Sequence, residues 1–176
     1  MSNAFKDWYN DMSDTQKEIY EICMKYPFLI PDDDFEYEYL NLEVPVGWKL
    51  LFFQMCDDIL PLLEKENIID KFRFVQVKEK YGLMRCYTNG VESDDVVQQI
   101  RKYEKLASVV CVQCGELAEY ITTGYILPFC MECWKDHVRH NEILKIALSE
   151  EEQDIFKTEL EKYKNKLKER SEKNGK

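Results

Sequence analysis

The chain has 176 residues, enough for one domain, or one domain with a small appendage, around a buried core. Hydrophobic residues make up 45% of it and aromatic residues 13%, as in an ordinary folded protein. No apolar run approaches the roughly 18 residues of a membrane-spanning helix. The net charge is −10, and the acidity lies mainly in residues 1–70, which hold 5 Lys/Arg and 16 Asp/Glu. A negative charge disfavours a protein that binds nucleic-acid phosphate and favours one that binds a basic protein surface.

The first predicted element is a helix that begins at a capping box, Ser13-x-x-Gln16. Apolar residues then recur at the helical period, at Ile19, Ile22, Cys23 and Tyr26. Pro27 and Pro31 are expected to end this helix. An acidic loop, Asp32–Asp34, follows, and the alternating segment Phe35–Tyr39 predicts a short strand or an extended arm.

A second helix is predicted for residues 48–66, after the chain break at Pro45-Val46-Gly47. Pro61 lies inside this helix and is expected to kink or shorten it. The residues expected on its buried side are Trp48, Leu51, Phe52, Met55, Ile59 and Leu62.

The middle of the chain predicts a β-hairpin at residues 72–88. Its strands, 72–80 and 83–87, flank a two-residue turn at Tyr81-Gly82. Asn89-Gly90 closes the second strand, and Ser93 is placed to cap a helix that runs to about Ala107. The expected core face of this helix is Val96, Val97, Ile100, Tyr103 and Ala107.

Four cysteines carry the most specific signal, in two pairs: Cys111-Val-Gln-Cys114 and, fifteen residues later, Cys130-Met-Glu-Cys133. A two-residue gap lets both thiolates of a pair reach one ion, and two pairs complete the tetrahedral set that zinc prefers. Because thiolate fills all four positions, the site is expected to be structural and to leave no place for water or substrate. Gly115 suits the tight turn of a zinc knuckle. Two disulfides or a redox pair are weaker alternatives, since no leader for an oxidising compartment is visible and a cytoplasmic location is expected.

The zinc module is expected to contain a short hairpin at residues 119–127 and a helix that starts at the second cysteine pair. That order, a knuckle, a hairpin and a helix, is typical of a treble clef or zinc ribbon. A second capping box, Ser149-x-x-Glu152, opens a long C-terminal helix. Its apolar stripe favours docking on its own domain over dimerisation, and consists of Phe156, Leu160, Tyr163 and Leu167.

Catalytic alternatives are weak in this sequence. Gln76-Val-Lys78, downstream of Asp57, Asp58 and Asp70, resembles part of a metal-dependent nuclease site, but the acids are not spaced to converge on one ion. His137 and His140 are interpreted as exposed helix residues, with exchange into the zinc site as the alternative. The remaining cysteines sit among apolar neighbours and are interpreted as buried, reduced thiols: Cys23, Cys56 and Cys86.

Several segments together resemble a group of short bacteriophage and prophage proteins that are usually labelled hypothetical. The resemblance spans about residues 35–135, and its most distinctive part is Gln76-Val-Lys-Glu-Lys-Tyr-Gly82. The other matching segments are Gly47-Trp48, Gln54-Met-Cys56, Met84-Arg85-x-Tyr87, Tyr103-Glu104 and the two C-x2-C pairs. The resemblance implies a phage-encoded protein that acts in a bacterial cytoplasm, and a hairpin and zinc module that form one unit. The long C-terminal helix departs from the group.

The sequence therefore predicts an α+β fold with helices packed on a small antiparallel hairpin, a four-cysteine zinc module and a long C-terminal helix. The expected division is an acidic α+β domain at 1–107, the zinc module at 108–141, and the helix and tail at 142–176. The favoured function is a non-enzymatic protein-interaction protein, for example a phage-encoded inhibitor of a host defence protein. A nucleic-acid-binding zinc protein is the alternative, and a metal-dependent nuclease is third. The alternative would use a local basic patch of Arg73, Lys78, Lys80, Arg85, Arg101, Lys102 and Lys105.

Overall fold

The computed structural model describes residues 25–29, 41–91, 93–137, 143–146 and 149–174. Within them the chain is α+β, as the sequence predicts. The capping box at Ser13, the acidic loop Asp32–Asp34 and the segment Phe35–Tyr39 lie outside the described residues, so those predictions stay predictions. Among the described residues, no helix combines the length and the apolar character needed to cross a lipid bilayer.

The described elements follow one another along the chain in this order. A short 3₁₀ turn at Pro27–Leu29 comes first. The elements after it are β1 (Asn41–Glu43), α1 (Val46–Lys65), β2 (Phe74–Lys80), β3 (Leu83–Thr88), α2 (Asp94–Ala107), β4 (Tyr120–Thr122), β5 (Pro128–Phe129), α3 (Met131–His137), β6 (Ile143–Lys145) and α4 (Glu150–Asn174).

The first sheet contains three strands in the order β1-β2-β3. Strands β2 and β3 form the predicted hairpin, and both residues of its turn have positive φ, 56° at Tyr81 and 74° at Gly82. Such a turn matches the twist of the paired strands. Strand β1 was not predicted. It pairs in parallel with β2, so that β1, α1 and β2 form a βαβ unit.

Helix α1 supplies one wall of the core. It begins two residues earlier than predicted and continues through Pro61 to Lys65. The proline therefore does not end the helix early, as one of the two expectations had it. Leu63 is buried and Leu62 only partly so, because Leu63 lies one turn after the buried Ile59. Aromatic rings fill the space between α1 and the sheet, with centroids 5.6 Å apart for Phe52 and Phe74.

Helix α2 packs against α1 and β3. Its start is as predicted, since the Ser93 hydroxyl accepts a hydrogen bond from the Val96 N–H at 3.3 Å. Its buried face includes Leu106, which the sequence reading left out. The Glu104 carboxylate accepts a bond from the Cys86 N–H at 2.8 Å. That bond uses a donor on the outer edge of β3, where an unpaired strand would otherwise be open to other chains.

The second sheet is antiparallel, in the order β5-β4-β6. Strands β4 and β5 form the hairpin that the sequence predicts, although β5 lies just beyond the expected range. Buried Thr122 closes its loop, because its hydroxyl accepts from the Leu127 N–H at 2.9 Å and contacts the Tyr125 carbonyl at 2.5 Å. Helix α3 follows, and its Trp134 ring lies 6.0 Å from the ring of Tyr120.

Helix α4 lies against α2 along its first half. The predicted capping box is present: the Glu152 N–H donates to Ser149 Oγ at 3.2 Å, and Glu152 accepts from the Ser149 N–H at 3.0 Å. Leu160 is buried in the main core, and Glu159 pairs with Lys102 of α2 at 2.9 Å. These contacts favour docking of this half on its own domain. The side chains of Tyr163 and Leu167 lie outside the described residues.

Candidate metal centre

Four thiols converge at one point in the second half of the chain. The Sγ atoms of Cys111, Cys114, Cys130 and Cys133 all lie within 4.8 Å of one another. Cys111 and Cys130 are buried, Cys133 is half-buried and Cys114 is exposed. Among the described residues, this is the one group of three or more potential metal-ligating side chains. The four predicted ligands are therefore brought together.

Local backbone bonds shape each cysteine pair. In the first pair the Gly115 N–H donates to the Cys111 carbonyl at 3.0 Å, and Gly115 has a φ of 80°. The predicted need for a glycine at this turn is confirmed, since other residues rarely adopt that φ. In the second pair, at the start of α3, the Cys133 N–H points at Cys130 Sγ, 3.5 Å away. Each turn places the two sulfurs of its own pair on the same side of the backbone.

The spacing of the four sulfurs, all within 4.8 Å of one another, is compatible with a tetrahedral thiolate site. Zn–S bonds of about 2.3 Å in a tetrahedron place the sulfurs about 3.8 Å apart. The Cys114 and Cys130 sulfurs are 3.6 Å apart, close to that value and far beyond the roughly 2.05 Å of a disulfide bond. None of the four cysteines forms a disulfide. The residues present therefore fit a divalent metal ion with four sulfur ligands.

Without a cation, two of the four thiols resist ionisation, whereas at Cys111 burial is outweighed by hydrogen bonds from backbone N–H groups, first that of Cys130, which lower its pKa. Burial raises the pKa of Cys114 to about 11. Burial and the neighbouring Cys114 and Cys130 thiols also raise the pKa of Cys133. A bound divalent cation reverses this, because a coordinating thiol is deprotonated outright. Metal binding at this cluster should therefore release protons and weaken as the pH falls.

The turn of the first cysteine pair, Cys111–Gly115, is called the knuckle below, and it packs directly against the first turn of α1. The Gly47 N–H donates to the Val112 carbonyl at 2.9 Å, and Trp48 Nε1 donates to the Val110 carbonyl at 2.8 Å. A Cβ on Gly47 would lie only 2.2 Å from the carbonyl oxygen of Cys111. Sequence reasoning treated Gly47 as a chain break and missed this role. The available signal was a glycine next to a large apolar residue at the start of a helix.

A second contact joins the two hairpins. The Tyr125 hydroxyl, in the β4–β5 loop, donates to Glu79 of β2 at 2.9 Å. This bond and the charge of Glu79 raise the pKa of Tyr125. At the β2–β3 turn, a Cβ on Gly82 would lie 3.0 Å from Ile126. The segment with the four cysteines, the predicted zinc module and here called the cysteine module, thus contacts the preceding helices and first sheet, here called the α+β body. It does so at both α1 and the first hairpin.

The acidic residues of the nuclease alternative serve local contacts. Asp57 accepts hydrogen bonds from the Tyr26 hydroxyl at 2.7 Å and from Lys25 at 3.0 Å. Asp58 accepts from the Tyr103 hydroxyl and from Gln54 Nε2. These contacts tie α1 to the preceding segment and to α2.

On β2, Gln76 lies opposite Tyr87 and Lys78 lies opposite Arg85. Asp70, the third acid of that alternative, is exposed in the loop after α1. The acids and the Gln76/Lys78 pair therefore lie on different elements and do not form a described metal-ligating group.

The other cysteines and the histidines divide into described and undescribed groups. Cys56 is fully buried, as predicted. Burial, with a smaller contribution from the charge of Glu104, raises the pKa of Cys86, so this half-buried thiol is not activated. Cys23 and the side chains of His137 and His140 lie outside the described residues.

The residues of the predicted basic patch also make local contacts. Arg73 Nη1 donates to the Phe72 carbonyl at 2.7 Å, and Lys102 pairs with Glu159 at 2.9 Å. Lys78 places its ammonium 5.2 Å from the centre of the Tyr87 ring. Part of the predicted positive charge is thus used within the fold.

The cysteine cluster is the part of the described molecule whose side chains could hold a metal ion, and its four thiols come from a knuckle and a helix start. The chain was compared with known protein families, with curated proteins and with solved structures, and none of them matches it.

Proposed function

We propose that the four cysteines hold a structural Zn²⁺ and that the protein acts by binding another protein rather than by catalysis. The observation that carries this proposal is the convergence of four thiols on one point. Four thiolates fill the tetrahedral shell of zinc and leave no position for a substrate or an activated water. Such an ion contributes folding free energy and no chemistry.

The choice of zinc follows from the ligands. Soft thiolates in a tetrahedral set select zinc or iron–sulfur chemistry, and paired C-x2-C spacing with a knuckle is typical of zinc. The cluster is built from a knuckle, a hairpin and a helix start in that order along the chain. This order supports assignment of the module to the treble-clef or zinc-ribbon type.

Charge supports a protein partner. The acidity of residues 1–70 would attract a basic protein surface and repel nucleic acid. The resemblance to phage and prophage proteins suggests the setting: a phage-encoded protein in the bacterial cytoplasm that modulates a host protein, such as a defence effector. Asp32–Asp34 would imitate nucleic-acid phosphate toward a basic host surface.

Nucleic-acid binding is the second candidate, favoured by one observation on the first sheet. Lys78 and Arg85 lie opposite each other on β2 and β3, next to Tyr87, whose side chain is exposed. Cationic and aromatic side chains on one sheet face are a combination that single-stranded nucleic acid can use. The net charge of the chain works against it.

The test is affinity capture of the tagged, full-length chain from bacterial lysate, with and without nuclease treatment, with bound metal measured on the same sample. We expect about one zinc per chain and a stoichiometric protein partner that survives nuclease. The charge argument is tested by a variant with Asp32, Asp33 and Asp34 all changed to Asn. Its control changes three acids elsewhere: Glu64→Gln, Glu151→Gln and Asp154→Asn. Recovery of nucleic acid, or of partners lost on nuclease treatment, would replace the proposal with the second candidate.

A further inference from the structure

A groove of about 310 Å³ lies between the first sheet and the cysteine module. One wall is the segment after β1, with Val44 and Pro45, and the opposite wall is formed by Val112 of the knuckle and Leu127 of the β4–β5 hairpin. These side chains make the walls apolar. Since two of them belong to the cysteine module, the groove exists only while that module is held in place.

A carboxylate at this groove is fixed by two hydrogen bonds. Glu79 Oε1 accepts from the Gly82 N–H at 2.7 Å, and Glu79 Oε2 accepts from the Tyr125 hydroxyl at 2.9 Å. Each carboxylate oxygen has two acceptor sites, so both oxygens keep capacity for a further donor. Tyr125 is itself 69% exposed although its hydroxyl is bonded. The carboxylate is therefore oriented before any partner arrives.

Glu43, the last residue of β1, also borders the groove. Its register partner on β2 is Lys78, so its side chain lies on the sheet face of Lys78, opposite to the face of Glu79. The groove thus combines apolar walls with one fixed carboxylate, that of Glu79. That combination suits a long cationic side chain, whose methylene stem lies on apolar surface while its charged end meets the carboxylate.

We infer that this groove binds an arginine side chain presented by the protein partner, an inference that rests on the proposed function. A guanidinium carries five N–H donors in a planar fork and bonds a carboxylate through two parallel contacts. The fixed Glu79 carboxylate offers two oxygens for that purpose. Lysine would place one compact, strongly hydrated charge in the groove and could not make the two parallel contacts that a guanidinium makes. Arginine is also the cation most enriched at the centres of protein interfaces.

The direct test is an NMR titration of the zinc-loaded, full-length chain with the peptide acetyl-Gly-Arg-Gly-amide. We expect amide shifts at Val44, Val112 and Tyr125, around the groove. The same peptide with citrulline in place of arginine keeps the shape and loses the charge, so it should bind at least tenfold more weakly. Shifts that map elsewhere, or equal binding of the citrulline peptide, would overturn the inference.

Variants sharpen the test. Glu79→Gln keeps an oxygen for the Gly82 N–H and removes the charge, and it should weaken the arginine peptide about tenfold or more. Glu151→Gln, on the exposed first turn of α4, makes the same change of charge away from the groove and should leave binding unchanged. Zinc content and thermal midpoint confirm that both variants are folded. Equal peptide affinity in Glu79→Gln and in the unmodified chain would refute the role of Glu79.

Lysate capture separates this inference from the proposed function. If the unmodified chain captures a protein partner and Glu79→Gln captures it equally well, the groove is not the binding site, and the proposed function stands. If the unmodified chain captures no protein, the proposed function fails whatever the peptide does. If Glu79→Gln loses the partner and Glu151→Gln keeps it, both are supported.

Discussion

Replacing Gly47 with alanine tests how tightly the cysteine module is seated on the α+β body. An added Cβ would lie 2.2 Å from the Cys111 carbonyl oxygen, 2.7 Å from the Gly115 nitrogen and 2.9 Å from the Val112 carbonyl carbon. All three are backbone atoms, so no side-chain rotation relieves the overlap. The first turn of α1 and the knuckle must instead separate by about 1 Å to reach ordinary contact distances.

The expected net effect is destabilising, although alanine is the better helix former. The helix preference favours alanine by about 0.5–1 kcal/mol. Forced separation of packed groups costs about 1–3 kcal/mol, and stretching the bond from the Gly47 N–H to the Val112 carbonyl costs about 0.5–1.5 kcal/mol more. The free energy of unfolding should fall by about 0.5–4 kcal/mol, and the middle of that range, about 2 kcal/mol, lowers the thermal midpoint by about 4–8 °C.

The assay pairs thermal unfolding with zinc affinity, measured by competition with a chromogenic chelator. Apparent zinc affinity should fall at least tenfold, since folding of the module and metal binding are linked. Gly124→Ala is the control: Gly124 has a φ of 83° and open space around it, so alanine there costs only about 1 kcal/mol of backbone strain. If Gly47→Ala has the unfolding midpoint and zinc affinity of the unmodified chain, the seating argument is wrong.

Three further predictions use other contacts. Cys130→Ser should lose zinc and unfold the C-terminal half, seen as a lower zinc content and a lost cooperative transition; an unchanged midpoint with full metal content would contradict this. Trp48→Phe should lower the free energy of unfolding, measured by urea denaturation, by about 2–4 kcal/mol. The change removes the indole N–H that donates to the buried Val110 carbonyl. Hydrogen bonds from Lys102 and Lys162 lower the pKa of Glu159, so the docking of α4 gains stability above the ordinary carboxyl pKa of about 4.5 and loses it as pH falls through the lowered value. Circular dichroism against pH should show this loss, worth no more than about 0.5 kcal/mol, and Lys102→Gln should show a smaller one, since Lys162 still bonds Glu159.

Features set by neighbouring residues were predictable from the sequence. The Tyr81-Gly82 turn and the Ser93 cap depend on a few consecutive residues whose conformational preferences are local. The same holds for Gly115, whose positive φ follows from the knuckle spacing of the first cysteine pair. The convergence of the four thiols was predictable because metal ligation fixes a distance between two short motifs.

Features set by distant residues were not predictable. Strand β1 has three residues, and its parallel partner β2 lies beyond a 20-residue helix, so nothing near Asn41–Glu43 marks it as a strand. The bond between Glu79 and Tyr125 joins residues 46 positions apart. The close approach of Gly47 to Cys111 likewise joins two segments that only the fold brings together.

The proposed metal would contribute to binding without taking part in chemistry. The two cysteine pairs bracket the segment that holds Tyr125 and Leu127, and the first pair itself contains Val112. An ion bound at the four cysteines would therefore fix the residues that form one wall of the groove, while α1 and the first hairpin fix the other. Because the module contacts the body at both Gly47 and Gly82, it cannot pivot about a single point. A closed four-thiolate site would suit the proposed binding surface. An open coordination position would add reactivity, whereas a filled one would add rigidity to the walls around the Glu79 carboxylate.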